Sequence, residues 1–245
     1  MLKIMIIGAT STIAHETAKY FANDGAEFFL VARSPEKLTV IKDDLLARGA
    51  KSANAFEMDM NDFDRHQELL DAAIAKMGQL DALYIAHGTL GDQAEAEADV
   101  EVMIREINTN FLSTAAFLTI AANHFESQRR GAIAVISSVA GDRGRGSLYV
   151  YGTAMAAKTT FLQGLRNRLA KSGVSVLTIK PGRVATPMTA DMKPSPLLAD
   201  PAKVGAEIYK AMKNGRDILY VPAYWSVIMM IIRNIPERIF KRLSM

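Results

Sequence analysis

The sequence predicts a doubly wound α/β three-layer sandwich: a seven-stranded parallel sheet between layers of helices, followed by a C-terminal helical tail. Two observations carry this. Apolar runs of four to eight residues recur between longer stretches of helical periodicity, the pattern of strands buried on both faces. The chain's 245 residues, 49% hydrophobic and 22% charged, also suffice for one sizeable core and exclude a disordered chain.

In order, residues 3–8 read as a buried strand that runs into a glycine turn rather than a leader-cleavage site, with a helix starting near Ile13. A second strand covers 27–32. Residues 35–48 carry proline at the start and Gly49 just past the end, the asymmetry of a helix. Strand 53–58 precedes a helix over 62–77 closed by Gly78, and strands 82–86, 132–137, 174–180 and 217–221 complete the sheet. No repeat is visible and no linker or composition break precedes about residue 216, so residues 1–222 form one domain and 223–245 a tail packed on it. The connection 186–201, with prolines at 187, 194, 196 and 201, is the long irregular one and reads as a mobile lid or a surface excursion.

Composition removes several functions. With no cysteine there is no disulfide framework, thiolate zinc site or thiol nucleophile, and His15, His66, His87 and His124 show no metal-ligand spacing. The net charge of +3 marks no general nucleic-acid binder. The apolar stretch 218–232 is 15 residues long and interrupted by Pro222, short of the roughly 20 that span a bilayer. A cytoplasmic location is expected.

Function begins at the first turn. Gly8-Ala-Thr-Ser11-Thr12-Ile13-Ala14 would aim backbone N–H groups and a helix N-terminus at a phosphate, although an ordinary βα turn is the alternative because only Gly8 is a glycine. Thr12 places a branched side chain where a positive φ is often wanted. At the end of the second strand Arg33 stands where an acidic residue would bind a ribose hydroxyl and an arginine would meet a 2′-phosphate, which favours NADP over NAD. Asp59-Met60 suits an adenine edge, with Asp59 or Asp62 as simple helix caps the competing reading.

Ser138 lies thirteen residues before Tyr151, and Pro181-Gly-Arg-Val-Ala-Thr186 follows the sixth strand. Together with Gly8, Arg33 and Asp59 this spacing resembles the short-chain dehydrogenase/reductase family over nearly the whole chain. His87-Gly-Thr-Leu-Gly-Asp92, Ser137-Ser-Val-Ala-Gly-Asp142 and the tail 220–243 look more narrowly like the branch holding the reductase subunit of decaprenylphosphoryl-ribose 2′-epimerase, which reduces a lipid-linked keto-pentose. The resemblance implies a Rossmann-type fold and NADP-dependent reduction of a carbonyl, in a homo-oligomer or beside a partner oxidase subunit. Tyr151 would be the acid/base, Ser138 would bind the substrate oxygen, and Asn110 would complete a proton relay. Gly88, Pro181, Gly182, Val184 and Thr186 would border the nicotinamide half of the cofactor.

One residue breaks the pattern. The family's lysine four residues after the tyrosine is Met155, and Phe161, ten residues after Tyr151, confirms the register. A thioether is uncharged and can neither bind a ribose nor lower a phenol's pKa. Lys158 is about 700° of helix beyond Tyr151, on nearly the same face, and either leans back into the site or is a solvated or packing lysine. A non-catalytic dinucleotide-binding protein or complex subunit is therefore the competing function. His87 would face the cofactor or serve as a structural histidine.

On the substrate side, Arg143, Arg145, Lys180 and Arg183 would suit a phosphate-bearing substrate or form a solvated loop. From residue 216 onward five basic residues face two acidic ones beside the apolar 224–232 stretch. This reads as an interfacial helix in peripheral contact with an anionic membrane, a cap for a lipid-linked substrate, or a helix buried against the core or a second subunit.

Overall fold

The computed structural model describes residues 1–190 and 195–243. Seven parallel strands form one sheet: β1 Lys3–Ile7, β2 Glu27–Ala32, β3 Ser52–Glu57, β4 Ala82–Ile85, β5 Gly131–Ile136, β6 Val174–Pro181 and β7 Ile218–Val221, in the order β3-β2-β1-β4-β5-β6-β7. The chain winds outward in one direction from β1 to β3, then crosses over to β4 and winds the other way. That reversal opens a crevice beyond the carboxyl ends of β1 and β4.

The helices are α1 Thr12–Asn23, α2 Pro35–Ala47, α3 His66–Met77, α4 Gln93–Ala98, α5 Val100–Ile107, α6 Ser113–Gln128, α7 Tyr149–Ala170, α8 Pro201–Lys213, α9 Tyr224–Asn234 and α10 Glu237–Phe240. Alternation along β1 divides the core. Ile4 and Ile6 pack with Phe21 of α1, Leu38 of α2 and Ile208 of α8, whereas Met5 and Ile7 pack with Leu69 of α3, Phe117 of α6 and Leu162 of α7. Every strand expected from sequence is present, most shifted at an end by one residue. The helix expected over 62–77 begins instead as a 3-10 turn, Phe63–Arg65, and Asp62 places no side-chain hydrogen bond on its amides, so Asp62 is not a cap. Four residues of the candidate lid, 191–194, lie outside the described residues.

The tail lies on the domain. Trp225 and Met229 of α9 are buried with Val139 in a small third cluster. Arg143 donates to the carbonyl oxygens of Ile232, Arg233 and Ile235, pairs with Glu237 at 2.9 Å, and lies 3.8 Å over the Phe240 ring. A guanidinium at a helix C-terminus satisfies carbonyls that have no intrahelical partner.

Candidate active site

The cofactor-binding and catalytic candidates singled out from the sequence, from Gly8 at one end to Thr186 at the other, line one cleft of about 490 Å³ at the crevice between β1 and β4, whereas Arg143, Arg145, Lys180 and Arg183 do not line it. At its outer end Gly8 has φ +77°, and a Cβ there would stand 2.5 Å from the backbone nitrogen of His87, so the turn requires glycine. Ser11 precedes α1 and places no side-chain hydrogen bond on its first turn. The amides of that turn therefore remain open to an anion, reinforced by the helix dipole. Thr12 is the first residue of α1, and Arg129 is the only non-glycine residue with positive φ among the described residues. The strain expected at Thr12 is absent because Gly8 alone makes the left-handed step.

Arg33 follows β2 with its side chain 72% exposed and its guanidinium 3.7 Å from Asp59. Lys37, in the first turn of α2, joins it on the cleft wall. Asp59 accepts from the Asn61 amide at 2.9 Å and so holds the turn after β3 rather than capping a helix. Asn61 donates to Thr109 at 3.1 Å, while its Oδ1 is buried without a protein partner.

At the inner end, Ser138 leaves β5 and accepts from the Ala140 amide at 3.1 Å. Tyr151, in the first turn of α7, shares the inner wall of the cleft with Ser138. Burial pushes the Tyr151 pKa up, and the neighbouring Ser138 hydroxyl opposes that rise. Asn110 is fully buried in a π-helical turn, Asn108–Leu112, a local widening of the helix that often marks functional sites. Its Oδ1 accepts from the Thr89 amide at 2.9 Å, and its Nδ2 donates to Thr89 Oγ1 at 3.2 Å and to Glu106 at 3.0 Å. The side chain is thus engaged in bracing the loop after β4. A Cβ on Gly88 would stand 2.7 Å from Asn110 Oδ1, so glycine is needed there too.

Met155 is 2% exposed, and its carbonyl oxygen accepts from Ser137 Oγ at 3.0 Å. Ser137 also meets Thr159 at 2.9 Å, which fixes the register of α7 on β5. Lys158 is equally buried, contrary to the solvated reading, and its Nζ donates to the Ile136 carbonyl at 3.3 Å. Burial pulls its pKa down to about 7. His87 pairs through Nε2 with Ser113 at 2.8 Å, and its Nδ1 is buried without a partner. Burial first, then the charge of Lys158, lowers its pKa to about 3, so the ring is neutral.

Pro181 ends β6, and Gly182 lies so close to the Trp225 indole that a Cβ would stand 1.8 Å from Nε1. Val184 bridges to Ala199, and the Thr186 amide faces Thr189 Oγ1 at 3.2 Å. Two of the four cations expected on the substrate side have other work. Arg143 holds the tail, and Lys180 is buried against Asp142, which also accepts from the Tyr220 hydroxyl at 2.6 Å. Arg145 and Arg183 have no ion pair among the described residues. Burial and then the charge of Arg183 lower the pKa of Arg145. Lys37, Asn61 and Ser113 reach the cleft without having been singled out; only the outward direction of Lys37 on the first turn of a helix after the cofactor strand was readable in advance.

The strand order and a glycine turn feeding a helix N-terminus at the switch point define a dinucleotide-binding α/β protein. The model of the short chain dehydrogenase family matches residues 3–196, and the chain belongs to that family. It is 33% identical over 240 residues to an uncharacterized oxidoreductase of Mycobacterium tuberculosis, covering 98% of this chain and 96% of the relative. An uncharacterized oxidoreductase of Streptomyces coelicolor is 30% identical over 243 residues, with coverage of 98% and 95%. Among solved structures, levodione reductase superposes with a TM-score of 0.84 at 18% identity, covering 92% of this chain and 98% of that one. ElxO with NADP bound gives 0.81 at 22%, covering 92% and 99%. Both show the same fold.

Proposed function

We propose that this chain is an NADP(H)-dependent reductase of a carbonyl group on an amphiphilic, phosphoryl-bearing substrate such as a lipid-linked keto-sugar. The observation that carries the reading is the placement of Ser138 and Tyr151 together at the inner end of a cleft whose outer end is an open helix N-terminus. The residues present fit a dinucleotide: Gly8 clears the chain for close approach, the first turn of α1 takes the diphosphate, and Asn61 Oδ1 and His87 Nδ1 are buried acceptor sites without protein partners. Arg33 and Lys37 would hold the 2′-phosphate; the bound NADP of ElxO is in keeping with that choice. Gly88, Pro181, Gly182, Val184 and Thr186 would border the nicotinamide.

NADPH, when bound, supplies the hydride. Ser138 donates a hydrogen bond to the substrate oxygen, and Tyr151 donates its proton as negative charge develops there. Asn110 contributes through the backbone of its π-helical turn, since its side chain is engaged. Arg145 and Arg183, two guanidinium groups without an ion pair among the described residues, would take the substrate's phosphoryl group. The exposed Val227, Met230 and Ile231 of α9, beside the exposed Arg233 and Arg238, support delivery of such a substrate from an anionic lipid surface.

Tyr151→Phe is the test. With NADPH and a set of small aldehydes and ketones, turnover should fall about 10²–10⁴-fold while the Kd for NADPH stays within about twofold; unchanged turnover would refute the assignment. The second reading, a dinucleotide-binding subunit disabled at Met155, predicts NADPH binding without turnover and recovery in Met155→Lys.

A further inference from the structure

We propose that Lys158, one helical turn past Met155, supplies from beneath the cation that the methionine cannot. Its ammonium would hold the ribose hydroxyls at the nicotinamide end of the cofactor and stabilise the Tyr151 phenolate. The proposal rests on the NADP-reductase reading and places its missing charge.

The inward face of α7 is otherwise apolar or small at the buried positions that follow, with Leu162, Leu165 and Leu169 continuing the row. An amine at 158 interrupts it, 2% exposed, with a backbone carbonyl as its hydrogen-bond partner and no carboxylate within ion-pair distance among the described residues. Burying an ammonium in that way is costly, and an apolar side chain would fill the space more cheaply. Its location is the second argument: Lys158 lines the cleft together with Ile136, Ser138, Tyr151 and Met155. Helical side chains lean toward the N-terminus, so a seven-residue offset is partly recovered by the length of the lysine. The Ser137–Met155 and Ser137–Thr159 hydrogen bonds fix the register that aims it.

The groups facing this amine are compatible with a charge that appears on binding. His87, from the loop after β4, is neutral, and Tyr151 on the same helix is protonated. Ser113 on α6 and Asn110 in the π-helical turn are uncharged. Glu106 of α5 is tied to Thr89 and Asn110. Burial leaves Lys158 with a pKa of about 7; hydroxyl acceptors and the negative charge of a dinucleotide would restore the proton.

Titration calorimetry of NADPH binding at pH 8, in buffers of different ionisation enthalpy, reads this directly. An amine with pKa near 7 is about one-tenth protonated at pH 8, so wild type should take up nearly one proton per NADPH bound. Lys158→Met should lose that uptake, bind NADPH at least tenfold more weakly, and melt no lower than wild type. Met155→Lys combined with Lys158→Met should regain the affinity. Equal proton uptake in wild type and Lys158→Met overturns the proposal, as does a lower melting temperature with no recovery in the double variant. Wild-type protein that binds no NADPH overturns the NADP reading and this proposal together, whereas binding without Lys158-dependent uptake overturns this proposal alone.

Discussion

Replacing Lys158 by methionine should change how stability depends on pH, without any ligand present. The folded chain holds this amine in a dry site that lowers its pKa from an ordinary 10.5 to about 7. Between those values the unfolded chain binds the proton and the folded chain does not, so stability rises with pH across that window. Below pH 7 the full cost of the buried charge is present, roughly 5 kcal/mol for a shift of this size. As pH rises from 8 to 9, wild type should gain about 1 kcal/mol that Lys158→Met does not gain. Burial raises the pKa of Tyr84 and Tyr151, but those groups act above pH 10 and are common to both proteins. Urea denaturation at pH 8 and 9 gives the four free energies. The stability gap between variant and wild type should narrow by about 1 kcal/mol between the two pH values, and parallel behaviour would refute the burial argument.

Three further outcomes follow from the geometry. Arg33→Asp should shift cofactor preference from NADPH toward NADH, with the loss for NADPH worth about 1.5–3 kcal/mol of charge-assisted hydrogen bonding, read as Kd values for both cofactors. Asp142→Ala leaves the buried ammonium of Lys180 unpaired and should cost about 3–5 kcal/mol in chemical denaturation, most of it recovered by adding Lys180→Met. Flotation with anionic vesicles should be lost in a triple variant, Val227→Ser, Met230→Gln and Ile231→Ser, which spares the buried Trp225 and Met229; binding that persists would assign the lipid contact elsewhere.

The sheet was legible because its strands are short apolar runs bounded by turns, a pattern that needs no partner to be read. Gly8 was legible from its place at the end of a strand, and Ser138 and Tyr151 through the family spacing they resemble. Lys158 was legible only as one of two alternatives, because its direction depends on the register of α7 against β5, set by Ser137 hydrogen-bonding the Met155 carbonyl across the chain. Arg143 and Lys180 looked like candidates for a phosphate until the fold delivered the end of α9 to one and Asp142 to the other. Asn110 was found by position, but a π-helical turn has no one-dimensional signature, so the engagement of its side chain with Thr89 and Glu106 emerged only in three dimensions.

The contact between Trp225 and Gly182 orders events during synthesis. Gly182 donates its amide to Val221 of β7 at 3.0 Å and carries the Trp225 indole against its α-carbon. The wall beside the nicotinamide turn is therefore finished by residues translated about forty positions later. A nascent chain that has already assembled β1 to β6 still lacks that wall while β7 and α9 remain inside the ribosome, so the cleft reaches its full shape only once those two elements emerge.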